Sequence, residues 1–182
     1  MKYNNDWLIS KWQLDEKIKF IFFWGHQPTS DESISKTCFS QWWIAPFEVD
    51  GITYKTAEHW MMAEKARLFN DTDILQEILN SNTAAEVKKK GRLIKGFDPV
   101  KWEQEKFELV VQGNLHKFSS DDKLKEFLLN TNDRVIVEAS PVDAIWGIGL
   151  AADDPDIQNP SNWKGENLLG YALMEVRDIL KQ

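Results

Sequence analysis

The sequence predicts an α+β fold: a single mostly helical domain carrying a few short strands, with a hairpin near 47–56. Three observations lead there. Helical periodicity with cap signals fills most of the chain beyond residue 56, the apolar runs that suit strands are few and short, and the two do not alternate as a parallel α/β sheet requires. At 182 residues the chain is long enough to bury a continuous core, and no linker, repeat or biased tract divides it, so one domain over 1–182 is expected.

Residues 17–25, KIKFIFFWG, are apolar and aromatic and are closed by Gly25, the pattern of a buried strand. The polar run over 26–41 has the length of a functional or mobile loop. In FEVDGITYKT (47–56), alternation brackets Asp50-Gly51, the strongest short-range hairpin signal. Thr56 stands as N-cap of a helix over 57–69, and Thr83 and Glu86 have capping-box spacing at the start of another. Asp98 as cap and Pro99 at the first helical position open a long helix carrying Trp102, Phe107, Val110, Val111, Leu115 and Phe118. A helix fits 121–130, and DRVIVEAS (133–140) reads as a strand ended by Ser140-Pro141. The last helix occupies NLLGYALMEVRDILKQ, with Asn167 as its cap.

Composition narrows the function. The lone Cys38 excludes an internal disulfide and a cysteine-rich metal framework, which suits a reducing compartment. The first residues lack the charged and apolar regions of a signal peptide, and no run has the length of a membrane span, so a cytoplasmic protein without membrane partners is expected. A net charge of -7 argues against broad nucleic-acid binding, which needs many cations, but leaves room for a small phosphorylated ligand. No Walker loop, no complete Gly-x-Gly-x-x-Gly and no Ser-His-Asp order is present, so no cofactor is called for.

Three stretches hold candidate chemistry. In TYKTAEHWMMAEKARLF (53–69), Glu58 falls in the first helical turn, where backbone N–H groups and the helix dipole favour a carboxylate. Helical spacing sets Glu58 over Met61, Met62, Lys65 and Phe69 and aims it inward, so a plain first-turn carboxylate and a functional one both remain open. His59 lies about 100° around the helix. A metal pair would need a second ligand at position 63, which is Ala, so His59 reads as a hydrogen-bonded helix residue or a pocket wall. In SPVDAIWGIGLAADDP (140–155), Asp143, Trp146, Gly147 and Gly149 directly follow a strand, the composition of a turn or of a ligand-binding loop. In NWKGENLLGYALMEVR (162–177), Asn167 and two glycines form either a capped helix or an anion site at its N-terminus. The run KKKGRLIK (88–95) is a solvated helix face or a source of phosphate contacts through Arg92.

Taken in order, FFWG (22–25), FSQWW (39–43), VDGITYKTAEHWMMAEKA (49–66), KKKGR (88–92), Trp102, DAIWGIG (143–149) and GENLLGYALMEVR (165–177) resemble the NADAR family, whose YbiA-like members are N-glycosidases. The resemblance runs from about 18 to 180 and is specific through the combination of blocks. It implies an α+β domain that hydrolyses N-glycosidic bonds of phosphoribosylamino-pyrimidine intermediates of riboflavin biosynthesis or of ADP-ribosyl compounds. Glu58 matches the family's catalytic glutamate, Asp143 and Trp146 its distal Asp-x-x-Trp pair, and Lys65, Gly91, Arg92 and Asn167 fall on motif positions. This chain departs from the family at Phe23-Trp24-Gly25, where Phe-Tyr-Ser is frequent, and at Ser40-Gln41, where Ser-Asn is frequent. Both lie where a sugar or base is expected to be read.

On that resemblance, Glu58 activates water or stabilises the cationic sugar and Asp143 positions ribose hydroxyls or assists proton transfer. Trp146 stacks on base or sugar, Lys65 or Arg92 holds phosphate, and Asn167 holds a polar edge. Trp24, Gly147 and His59 complete the expected binding set, with a small phosphorylated ribosyl substrate as partner. The competing expectations are a module that binds ADP-ribose or NAD-type ligands without cleaving them, and an ADP-ribosyl-guanine hydrolase acting on nucleic acid.

Overall fold

A computed structural model describes residues 1–31 and 33–182; residue 32, within the polar run 26–41, lies outside the described residues. In chain order the elements are α1 (Asn5–Gln13), β1 (Phe20–Phe23), β2 (Phe47–Val49), β3 (Ile52–Tyr54), α2 (Ala57–Leu68), α3 (Thr72–Leu79), α4 (Ala84–Gly91), α5 (Pro99–Ser119), α6 (Asp122–Leu129), β4 (Val135–Glu138) and α7 (Leu168–Leu180). Short 3-10 turns lie at Lys36–Phe39 and Pro160–Asn162. Helix dominates and the strands are short, the expected α+β composition. The chain divides into two compact units, residues 1–40 with 122–182, and residues 41–121.

In the first unit β1 and β4 run parallel, from Phe20 opposite Val135 to Phe23 opposite Glu138. Four-residue strands cannot hold such a pair alone, and α7, whose Leu168, Leu169, Leu173 and Val176 are all buried, packs against β4. The approach is close because residue 170 is glycine: a Cβ there would lie 2.1 Å from the Ile136 carbonyl oxygen. Arg177, buried on α7, donates from one terminal nitrogen to Thr131 Oγ1 and to the Arg134 carbonyl, both at 2.8 Å. The helix α1 was not evident from apolar periodicity, since Leu8 is its only fully buried residue. Asn4 caps it, and the Asn5 side chain ties it to Gly165 and Tyr171.

In the second unit, Asp50 and Gly51 take φ of 52° and 76° at the tip of the β2–β3 hairpin, the paired left-handed conformation that an Asp-Gly turn supplies cheaply. Around α2 pack α3, α4 and α5. Every residue from Ala57 to Ala63 is buried, so α2 has no single inward face. The inward aim of Glu58 is therefore shared by His59 next to it. Two glycines admit the neighbouring helices: a Cβ on Gly91 would meet Met62 Sδ at 2.1 Å, and one on Gly113 would meet Trp60 Cδ1 at 2.4 Å. Trp60 is set among the rings of Phe47, Tyr54 and His116, with its indole N–H donating to the Leu109 carbonyl at 2.9 Å. The helix α3 is the second one that the sequence reading did not mark; Asp71 caps it, and Ile74 and Ile78 turn inward.

Candidate active site

The candidate residues fall into two groups, one in each unit. In the unit of residues 41–121 the group is built on the start of α2. Thr56 has extended backbone and its hydroxyl accepts the His59 N–H, so the helix begins where the Thr-x-x-His spacing puts its cap. The Glu58 N–H, which no helical carbonyl can take, donates to the Gln41 carbonyl at 3.0 Å. That leaves the Glu58 side chain, 3% exposed, as a carboxylate buried in the first turn of a buried helix.

Two turns further along α2, the Lys65 ammonium donates to the Gly91 carbonyl at 3.0 Å and lies 4.4 Å from the Phe97 ring centre and 5.3 Å from that of Trp102. Burial pushes its pKa down, and the negative charge of Glu58 pulls it back up. Glu58 and Lys65 are thus electrostatically coupled along one helix. Arg92, just past the end of α4, is exposed. Other members of the basic run are engaged locally: Lys90 donates to the Glu77 carbonyl, and Lys88 lies over the Trp42 ring.

His59 is a structural residue here. Its Nε2 faces the Ser81 carbonyl at 3.3 Å and must donate to it, which leaves Nδ1 to accept from the Thr56 hydroxyl at 2.8 Å. Burial lowers its pKa, so the neutral ring is favoured. With both nitrogens used and 2% exposure, it is the hydrogen-bonded helix residue of the two sequence alternatives.

In the other unit, the parallel strands open at their carboxyl ends into the second group. Trp24, 54% exposed, directly follows β1, and past β4 the Ala139 N–H still donates to the Phe23 carbonyl. Asp143 Oδ1 then accepts the N–H groups of Ile145 and Trp146 at 2.9 and 2.8 Å, a local turn that fixes where the indole sits. The second Asp143 oxygen takes no part in that turn. Trp146 is half-buried. Gly147 is needed for packing, because a Cβ would come within 2.8 Å of the Glu138 carbonyl oxygen, and Gly149 takes φ of 67°.

Asn167 corrects the sequence reading. It holds the N-cap position of α7 but with φ of 55° and no side-chain cap bond. Its amide instead reaches β4: Nδ2 donates to the Ile136 carbonyl and Oδ1 accepts the Glu138 N–H, both at 3.0 Å. One side chain thereby imitates a third strand beside β4. The anion-site alternative at the α7 start also fails, because the N–H groups of Glu166, Asn167, Leu168 and Leu169 donate to the carbonyls of Ala144, Gly147, Ile145 and Trp146. Those donors are spent on the turn.

An α+β chain with a buried glutamate opening one helix and an Asp-x-x-Trp-Gly turn joined to the last is the pattern of a known family of domains. The NADAR domain family model matches residues 22–181, and the chain belongs to that family. It is 39% identical over 173 residues to N-glycosidase R617 of Acanthamoeba polyphaga mimivirus, covering 92% of this chain and 99% of that one. N-glycosidase YbiA of Escherichia coli K12 is 32% identical over 152 residues, 84% of each chain. The solution structure of E. coli YbiA matches 91% of this chain and 86% of its own with a TM-score of 0.71 at 28% identity.

Proposed function

We propose that this protein is an N-glycosidase that hydrolyses the bond between a phosphorylated ribosyl group and a nitrogen, with Glu58 as its catalytic carboxylate. A phosphoribosylamino-pyrimidine of riboflavin biosynthesis, or a related ADP-ribosyl compound, is the substrate. The observation that carries the reading is Glu58 itself: a 3% exposed carboxylate in the first turn of α2, on the same helix as the Lys65 ammonium that its charge acts on. Removing a carboxylate from water is costly, and buried ionisable groups concentrate at functional sites. The names of the relatives, N-glycosidases of a virus and a bacterium, support the reaction class.

The C–N bond breaks with its electron pair going to nitrogen, positive charge grows on the anomeric carbon and ring oxygen, and water supplies hydroxide to carbon and a proton to the leaving nitrogen. A carboxylate next to that carbon stabilises the cation and takes a proton from the water. Glu58 has that role here. Lys65, coupled to Glu58 and only half-buried, meets phosphate together with Arg92. We assign Asp143, through its second oxygen, to a ribose hydroxyl or to proton transfer, and Trp146 and Trp24 to flat faces of the substrate. Asn167, Gly147 and His59 support the backbone on which these residues stand.

The test is incubation of the purified protein with phosphoribosylamino-pyrimidine and ADP-ribosyl compounds separately, measuring sugar phosphate released. Glu58→Gln retains the fold and loses at least about 100-fold in turnover, the scale of a lost acid–base group. Near-normal turnover in that variant refutes the assignment. Binding without release over time identifies a ligand-binding module instead.

A further inference from the structure

Gln41 stands against the start of α2, its carbonyl holding the Glu58 N–H, and is itself 7% exposed. Its Oε1 accepts from Asn114 Nδ2 at 2.8 Å, and the same Nδ2 donates to the Val110 carbonyl at 2.8 Å. These bonds fix which end of each amide is spent, because only nitrogen can donate to the two oxygens. Among the described residues, Gln41 Nε2 and Asn114 Oδ1 are buried and have no hydrogen-bond partner. One donor and one acceptor are thus left over, on the residue whose backbone carbonyl holds the Glu58 N–H and on its partner in α5. A hydroxyl is the group that both accepts and donates.

We propose that Gln41 Nε2 donates to the substrate's 2-hydroxyl, the hydroxyl next to the anomeric carbon, and that Asn114 fixes the Gln41 amide for this task. The assignment rests on Glu58 acting at the anomeric carbon, since the residue backing Glu58 then faces the neighbouring sugar carbon. Bonds to that hydroxyl strengthen as the cation forms, so the contact acts on turnover as well as on binding. A sugar lacking that oxygen leaves the buried donor unpaired and is rejected strongly. The broad terminal torsion of glutamine supplies the adjustment as substrate seats.

The experiment measures binding of ribose 5-phosphate and 2-deoxyribose 5-phosphate to wild type, Gln41→Glu, Gln41→Met and Gln41→Asn, with melting temperatures alongside. Gln41→Glu keeps the acceptor for Asn114 and removes the donor; Gln41→Met removes both at similar volume. Wild type prefers ribose 5-phosphate by about tenfold or more, and both variants erase the preference by weakening ribose 5-phosphate alone. Gln41→Asn restores part of it. On whichever N-ribosyl substrate wild type cleaves, kcat falls more than KM rises. Equal losses for the two sugars, lowered melting temperature with unchanged binding, or no binding of ribose 5-phosphate by wild type overturns the proposal. If the variants do not fold, equal affinity of wild type for the two sugars does so. A Gln41-dependent preference without release of sugar refutes the hydrolase reading and leaves this one standing.

Discussion

Replacing Asn167 tests whether the residue serves the fold or the ligand. Its side chain makes two bonds to β4, to the Ile136 carbonyl and from the Glu138 N–H, each 3.0 Å long. Asn167 is fully buried, so in Asn167→Ala water does not simply replace the lost amide. Each backbone group left unpaired costs about 1–3 kcal/mol. Alanine must also hold φ near 55°, where a side chain with Cβ but no local hydrogen bonding costs roughly 1–2 kcal/mol more. The sum is about 3 kcal/mol or more, a large part of the 5–15 kcal/mol that holds a typical domain. Asn167→Gly loses the same two bonds without the strain, so it sits about 1 kcal/mol above Asn167→Ala. Urea titrations followed by circular dichroism give both differences. A loss below about 1 kcal/mol in Asn167→Ala, or a glycine variant no better than the alanine one, refutes the strand-mimic reasoning.

At His59 the folded pKa lies below the 6.5 of a free imidazole because of burial, so the folded protein takes up this proton at lower pH than the unfolded chain does. Its contribution is complete above that value and is lost as pH falls through the folded pKa. The melting temperature drops on going from pH 7.5 to pH 5, and His59→Gln reduces that drop; an unchanged slope counts against the assignment. The two helix-packing glycines separate by the stiffness of what they touch. Gly113→Ala pushes on the indole of Trp60 and costs about 1–3 kcal/mol, whereas Gly91→Ala meets the flexible end of Met62 and recovers some helix propensity. Chemical denaturation that ranks them the other way contradicts this. Asp143→Asn keeps Oδ1 for the Ile145 and Trp146 N–H groups and removes the charge. Its melting temperature stays near wild type while turnover falls, and full turnover removes Asp143 from the mechanism.

Local signals in the sequence were accurate for most near-neighbour partners, the side-chain cap expected of Asn167 being the exception. The Asp50-Gly51 turn, the Thr56 cap, the Thr83–Glu86 capping box and Pro99 at the head of α5 all formed as read. Helices α1 and α3, absent from the sequence expectation, are set by the local caps Asn4 and Asp71, and α3 also by the helical spacing of buried Ile74 and Ile78. Of the proposed site, Glu58, Lys65, Asp143 and Trp146 were legible through residue type and order. Phe97 and Trp102 against the Lys65 amine, and Asn114 behind Gln41, left no such trace; Gln41 showed only as a departure from the family pattern.

Sequence alone therefore determined the α+β class, most element positions and the family, because caps, turns and periodicity are set within a few residues of chain. Tertiary structure decided what the polar side chains are for. Asn167 bonds to residues about thirty positions away, and Gln41 meets Asn114 across a separation of 73. Burial of every residue from Ala57 to Ala63 on α2, which packs against α3, α4 and α5, also put His59 in the interior beside Glu58, which a one-sided helical pattern does not anticipate. A buried polar group must find its partner wherever the fold brings one, and that distance along the chain carries no local signature.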